Sequence, residues 1–207
     1  MPDKRVTVCI TGHREKGVPD SIWGHAAAVG AVKRLLGFYL DMAADAGYEN
    51  FLCGMASGTD LWAAEHIAEM KRAGRRVRLI GAVPYLRHAE RFSTRDKELL
   101  RYAERNADRL VLVNENPYIT YSYGGAGSTL YRDRNYYMVD NSSAVISFFT
   151  GNSHSGTGQT IRYARNMGRR IMSFGNAEVI SALDRAGGVP ELLEREELFP
   201  ENIFSRG

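Results

Sequence analysis

Residues Phe51–Ile67 read FLCGMASGTDLWAAEHI: an apolar run stops at Gly54, small and turn-forming residues follow, and an apolar-periodic segment opens at Asp60. A short apolar strand that breaks at glycine and passes straight into a helix is the βα unit of an α/β sheet. Such an elbow aims a helix N-terminus, with its unpaired N–H groups, at the space beyond the strand end. The fold then depends on whether the unit recurs on either side.

It does. Towards the N-terminus, Val6–Thr11 (VTVCIT) is β-branched and nearly continuous in apolar character, as in a strand covered on both faces. Ile22, Ala26, Val29, Leu36, Leu40 and Ala43 fall at helical spacing within 21–46, and Gly47 ends that helix. Phe51–Cys53 is a short strand and Asp60–Ala73 a helix closed by Gly74. Val77–Val83 predicts a third strand with a helix from about His88 to Asn106, and Leu110–Asn114 a fourth with a helix over Ser128–Asn141. Ala144–Phe149, a helix over Gly158–Met167 stopped by Gly168, and a sixth strand at Arg170–Phe174 complete the series.

Strands alternating with helices of this length imply βαβ crossovers. The fold class expected is α/β, a three-layer Rossmann-like domain over residues 1–175 with a mainly parallel sheet of five or six strands. Residues 176–207 are weaker in pattern, with a short acidic helix near Glu191–Glu197, and are expected as a helical extension packed on the same domain. No internal repeat is evident.

With 207 residues, 44% hydrophobic and 25% charged, the chain can bury a sizeable core, and no Pro/Ser-rich linker divides it. A net charge of +3 is too mild to argue for DNA or a membrane surface, and it leaves small anionic ligands open. The N-terminal MPDKRVTVCITGHRE turns polar after a handful of apolar residues, so it reads as neither signal peptide nor membrane span. Cys9 and Cys53 sit inside strands, where single thiols usually pack, and a cytoplasmic protein is expected.

In an open parallel sheet, ligands collect at the carboxyl ends of the strands. The unusual residues fall there: Thr11-Gly12-His13-Arg14, then Gly54-Met55-Ala56-Ser57-Gly58-Thr59-Asp60, then Pro84-Tyr85, then TGNSHSGTGQT over Thr150–Thr160. Glycine lets backbone amides approach an anion, so Gly54–Thr59 and Ser155–Thr160 together would cradle phosphate and ribose. Neither loop matches GxGxxG or GxxxxGK[ST].

Asp60 reads as a helix cap or a catalytic carboxylate. Glu65, set in the apolar LWAAEHI, wants either a ribose hydroxyl or a salt bridge. Arg132 and Arg134 stand two apart ahead of strand five, so one of them points inward, where a guanidinium and Asn135 would meet phosphate. Of the five histidines, His13 and His154 lie in site loops, while His66 and His88 read as helix-surface residues, and no metal spacing occurs. Tyr118, Tyr121 and Tyr123, in NPYITYSYGGAG, suit a lid or a contact surface.

TGHR after strand one, SGTDLWAAE after strand two, Pro84 closing strand three, RNYYMVDNSSAVI into strand five and then SGTGQTIRYA resemble the YpsA-like branch of the SLOG superfamily, from Val6 to Phe174. That resemblance implies a Rossmann-like domain that binds a nucleotide or nucleotide-derived ligand of the NAD or ADP-ribose type. Carried over, its ligand loops are Thr11, Gly12, Arg14, Gly54, Ser57, Gly58, Asp60 and Glu65, with Gly156, Thr157, Gly158 and Thr160. His13, Met55, Ala56, Arg134, Asn135 and Ser155 join them from the loop reading.

The related LOG phosphoribohydrolases cleave an N-glycosidic bond with an Arg and a Glu near the glycine loop. Here the place of that glutamate falls on Ile161 or Arg162, which argues against the same reaction, although Glu65 or Asp60 would supply a carboxylate. The DprA branch binds single-stranded DNA through a basic surface. The basic residues here, Lys71-Arg72 and Arg75-Arg76, sit where a helix end favours cations anyway, so nucleic acid is not expected.

Three functions therefore stand: a sensor or carrier of a nucleotide-type ligand, a hydrolase of an N-glycosidic or phosphoanhydride bond in such a ligand, or an interaction protein of cell division or phage defence. No cofactor is required by any of them, no membrane partner is implied, and a homo-oligomer fits the architecture.

Overall fold

In the computed structural model, which describes residues 3–115 and 126–205, β1 (Thr7–Gly12) runs through the centre of the molecule. Val8, Cys9 and Ile10 are wholly buried and alternate between two packed faces. α1 (His25–Asp45) leads to β2 (Asn50–Cys53), α2 (Thr59–Arg72) to β3 (Arg78–Val83) and α3 (Thr94–Asn106) to β4 (Arg109–Leu112). α4 (Ala126–Asp140), β5 (Ala144–Phe148), α5 (Gly156–Asn166), β6 (Arg170–Phe174), α6 (Asn176–Arg185) and α7 (Arg195–Leu198) follow.

Among the described residues the strands form one six-stranded sheet, ordered β4-β3-β2-β1-β5-β6, with every neighbouring pair parallel. The chain steps outward from β1 to β4, then crosses back to place β5 on the other side of β1. In register, Gly12 of β1 lies opposite Phe148 of β5. The loops that leave β1 and β5 therefore diverge to opposite faces and open a crevice between them, the usual ligand position of such sheets.

One face buries Val8, Ile10, Phe51 and Leu79 against Leu36, Leu40, Leu61, Ile67, Leu100 and Leu183. The other buries Cys9, Leu52, Ile80 and Val145 against Met138 and Val139 of α4 and Ala164 of α5. The near-continuous apolar strands noted in the sequence are thus the middle of three layers.

Several boundaries differ from expectation. α1 begins at His25 because Gly24, at φ +89°, breaks the chain ahead of it, and Ile22, counted with the apolar face, lies exposed before the helix. α3 begins at Thr94, not His88: Ser93 Oγ accepts from the Asp96 N–H at 3.1 Å and caps the helix there. The tail holds more structure than its pattern suggested. α6 buries Val179, Ala182 and Leu183, and its C-cap Ala186 is buried with them, a helical spacing half made of alanines that carries little signal. The acidic helix expected at Glu191–Glu197 is a 3-10 turn, Pro190–Leu192, followed by α7. Phe204 is buried in the main core beneath Arg170, whose Nη1 donates to its carbonyl at 2.9 Å. Tyr118, Tyr121 and Tyr123 lie outside the described residues.

Candidate functional site

The ends of β1, β2 and β5 surround a cavity of about 550 Å³. Of the residues expected there, Thr11, Gly12, His13, Arg14, Ala56, Ser57, Asp60, Arg134, Asn135, Ser155, Gly156 and Thr157 line it. The junctions at Gly54–Thr59 and Ser155–Thr160 thus meet at one space. Gly54, Met55, Gly58, Gly158 and Thr160 do not line it, and each shapes a wall instead.

The first wall ties the β1 loop to the start of α2. Gly58, at φ +86°, lies so close that a Cβ would come 2.6 Å from Arg14 Cα and 2.8 Å from the His13 carbonyl oxygen. The Thr59 N–H (3.3 Å) and hydroxyl (2.8 Å) both donate to that carbonyl. The N-terminus of α2 is therefore spent partly on the protein itself, and the β1 loop that α2 holds in place faces the cavity.

His13 carries the β1 loop across to β5. Its ring stacks on Phe149 (centroids 6.0 Å apart, planes 14°), meets Phe148 edge-on and places Nε2 3.0 Å from Thr150 Oγ1. Burial pushes the His13 pKa below its ordinary value, so the ring is a neutral hydrogen-bonding strut at pH 7.

At the floor, Arg134 Nη1 lies 3.2 Å from Asp60 Oδ2, and Asp60 also accepts from the Ala56 N–H at 3.3 Å. Both side chains are buried, Arg134 being 3% exposed and Asp60 6%. Desolvation raises the Asp60 pKa even with Arg134 opposite, and lowers that of Arg134, so each charge is held at a cost. Arg134 Nε is buried without a hydrogen-bond partner, and the guanidinium sits 5.6 Å from the centre of the Tyr131 ring. Asp60 is thus a buried counter-ion at the second position of α2 and not the helix cap. Arg132, two residues away from Arg134, points outward to Asp133.

At the far wall, Ser155 caps α5: its Oγ accepts from the Gly158 N–H at 3.0 Å and donates to the Asn152 carbonyl at 2.6 Å. The next two residues, Gly156 and Thr157, carry first-turn N–H groups that a helix cannot pair internally, and both line the cavity. Thr160 is buried and donates to the Gly156 carbonyl, a structural role. Ser155→Ala is expected to lower stability by about 1 kcal/mol, read as a reduced denaturation midpoint at unchanged slope.

Two candidates, Glu65 and His154, lie outside the cavity, and the surface reading of His88 is corrected. Glu65 does not reach the cavity: its carboxylate lies 2.7 Å from Lys33 Nζ in a separate groove between α1 and α2, because its position on α2 turns away from the strand ends. His88 is not on a helix surface but is 8% exposed, with Nε2 3.0 Å from the Met55 carbonyl, where it supports the left-handed Met55 (φ +55°). His154 is exposed and stays outside the cavity, its N–H donating to Asn152 Oδ1 at 3.0 Å. Lys16, Tyr131, Thr150 and Asn152 line the cavity and were not foreseen. Thr150 and Asn152 stood in a loop already singled out, and Tyr131 stands one turn before Arg134 on the same helix face.

The lining carries Arg14, Lys16 and Arg134 against one carboxylate, Asp60, which Arg134 already engages. Burial pushes the Cys9 thiol up to about 12 and raises that of Cys53, so neither is a nucleophile. Among the described residues no group of three or more His, Cys, Asp or Glu is placed to hold a metal ion, and no helix is long and apolar enough to cross a membrane.

No curated protein matches this chain. A solved structure of DNA processing protein A (DprA) from Streptococcus pneumoniae is similar to it at 16% identity and TM-score 0.48, over 90% of this chain and 58% of that one. Residues 8–172 match the family described as the YspA SLOG family, a range that holds β2 to β5 whole, all of β1 but Thr7, the first part of β6 and every residue lining the cavity. The chain belongs to the YspA SLOG family.

Proposed function

We propose that this protein is a cytoplasmic sensor or carrier that binds a nucleotide-type ligand, a nucleoside phosphate or a relative such as ADP-ribose or NAD, in the cavity at the ends of β1, β2 and β5. The observation that carries the reading is Arg134: a buried guanidinium with an unpartnered Nε, on the lining of a cavity that also presents Arg14, Lys16 and the first amides of α5. Phosphate oxygens satisfy such a donor set, because they accept from guanidinium and from helix N-terminal amides at once. The glycine, serine, threonine and asparagine around them suit a ribose.

The hydrolase reading has less support. Its Glu65 lies elsewhere, and Asp60 is already committed to Arg134 and the Ala56 amide, which leaves no free carboxylate among the described lining residues to activate water.

Isothermal titration with AMP, ADP-ribose and NAD tests the proposal, with chromatography of each ligand after long incubation. Binding without turnover is expected. Arg14→Ala, at an exposed position, is expected to weaken binding about tenfold, the scale of one charge-assisted contact. Glu65→Gln, which breaks only the partly exposed pair with Lys33, is expected to leave affinity within about twofold and stability within about 1 kcal/mol. Absence of heat and of any thermal shift across the three ligands overturns the reading.

A further inference from the structure

Arg14 and Tyr131 line a second hollow as well as the main cavity, so the two adjoin at these side chains. The second, about 220 Å³, is walled by the turns between β3 and α3. Its chemistry differs from that of its neighbour. Tyr85, His88, Phe92 and Tyr131 line it as a chain of aromatic rings: Tyr131 meets Tyr85 at 6.0 Å, Tyr85 meets His88 at 6.4 Å and His88 meets Phe92 at 5.6 Å. All three pairs are edge to face, with planes 80–87° apart, so none is a closed parallel stack.

The rings are held in place from behind. Tyr85 and His88 are buried, and His88 Nε2 bonds the Met55 carbonyl of the β2 elbow, tying this compartment to the main cavity's wall. At the rim Arg87 adopts φ +64°, a left-handed conformation that a non-glycine residue takes only under constraint, and it pairs with Glu90. Planar aromatic ligands are recognised by such surroundings, through ring contacts and through guanidinium planes laid on a π face.

Resting on the phosphate reading of the main cavity, we propose that this aromatic compartment takes the nucleobase of the same ligand, so that the protein selects an intact nucleoside phosphate over a bare sugar phosphate. Phosphate and ribose occupy the glycine-walled side, and the base passes Arg14 and Tyr131 to lie among the rings.

The test is titration of the full chain with the four nucleoside 5′-monophosphates, ribose 5-phosphate and inorganic phosphate. At least one nucleoside monophosphate is expected to bind about tenfold or more tighter than ribose 5-phosphate, the scale of one base stacked on an aromatic side chain. Phe92→Leu, which keeps bulk and removes the ring, is expected to erase that advantage and leave ribose 5-phosphate within about twofold. Arg87→Ala, at a half-exposed side chain outside the core, is the second variant and is expected to weaken the nucleotide and not the sugar phosphate. Equal affinity of ribose 5-phosphate and every nucleotide in the unaltered protein overturns the base compartment while the phosphate reading stands. Equal weakening of both ligand types by both variants does the same. Binding of none of the ligands overturns both readings together.

Discussion

Gly54→Ala is expected to destabilise the protein by about 3–5 kcal/mol and to abolish ligand binding. A Cβ at Gly54 would overlap the Arg134 guanidinium outright and come 2.5 Å from Asp60 Oδ2. The clash meets the charged heads of a buried pair, and neither can retreat to water without giving up its partner. A glycine is thus required at Gly54 by close approach and not by backbone angle, since its φ is not left-handed. Gly156→Ala supplies the contrast: nothing lies within 4 Å of its Cβ, and alanine is the better helix former, so folding should change by less than about 1 kcal/mol. Equilibrium denaturation in guanidinium chloride measures both. A loss below about 1 kcal/mol at Gly54 would show that the pair rearranges freely and that the floor of the cavity is not as rigid as described.

The two halves of that pair should respond unequally to removal. Asp60→Asn leaves Arg134 buried with no counter-charge, and a guanidinium cannot shed its proton, so a loss of about 3–5 kcal/mol is expected at every ordinary pH. Phosphate or sulfate in the buffer should restore part of it by supplying the missing negative charge, and should raise the thermal midpoint of this variant more than that of the unaltered protein. Arg134→Met leaves Asp60 instead, and a carboxyl group can become neutral. Its pKa is already raised by burial with Arg134 present, and removing the cation raises it further.

The folded state of Arg134→Met then binds more protons than the unfolded chain in the window above the unfolded carboxyl value and below the raised folded one. Its stability therefore falls as pH rises through that window and levels off above it. Denaturation midpoints at several pH values from 4 upward separate the two variants. Parallel pH profiles for Asp60→Asn and Arg134→Met would refute the account of Asp60 as a desolvated carboxylate.

How much of the site was legible in the sequence follows from what each residue depends on. The loops that line the cavity could be found because they obey local rules: an apolar strand, then glycine and hydroxyl residues, then a helical period. Ser155 shows this well, being a serine three residues ahead of the amide it caps. For Glu65 the sequence left a ribose hydroxyl and a salt bridge open, because the period of a helix says which residues share a face but not which neighbour covers that face. Lys33, on α1, settled the matter. His88 was misread for a related reason. Its segment carries enough charge to pass as a helix surface, and its burial depends on the Met55 carbonyl, 33 residues away in the chain. Within the helical extension expected after residue 175, α6 was given no bounds because alanines at helical spacing bury as well as leucines against a close neighbour but carry little signal of their own.

What the sequence alone determined is the alternation of strand and helix, the buried character of the strands and the loops in which ligand chemistry is concentrated, since period, glycine placement and apolar runs act over a few residues. The order in which the strands join, the convergence of the β1, β2 and β5 loops on one cavity, the pairing of Asp60 with Arg134 and the aromatic hollow beside it were decided only by tertiary structure. Each of these depends on groups distant in the chain meeting across a crossover, and their energies are set by desolvation and close approach, neither of which exists until the layers have packed.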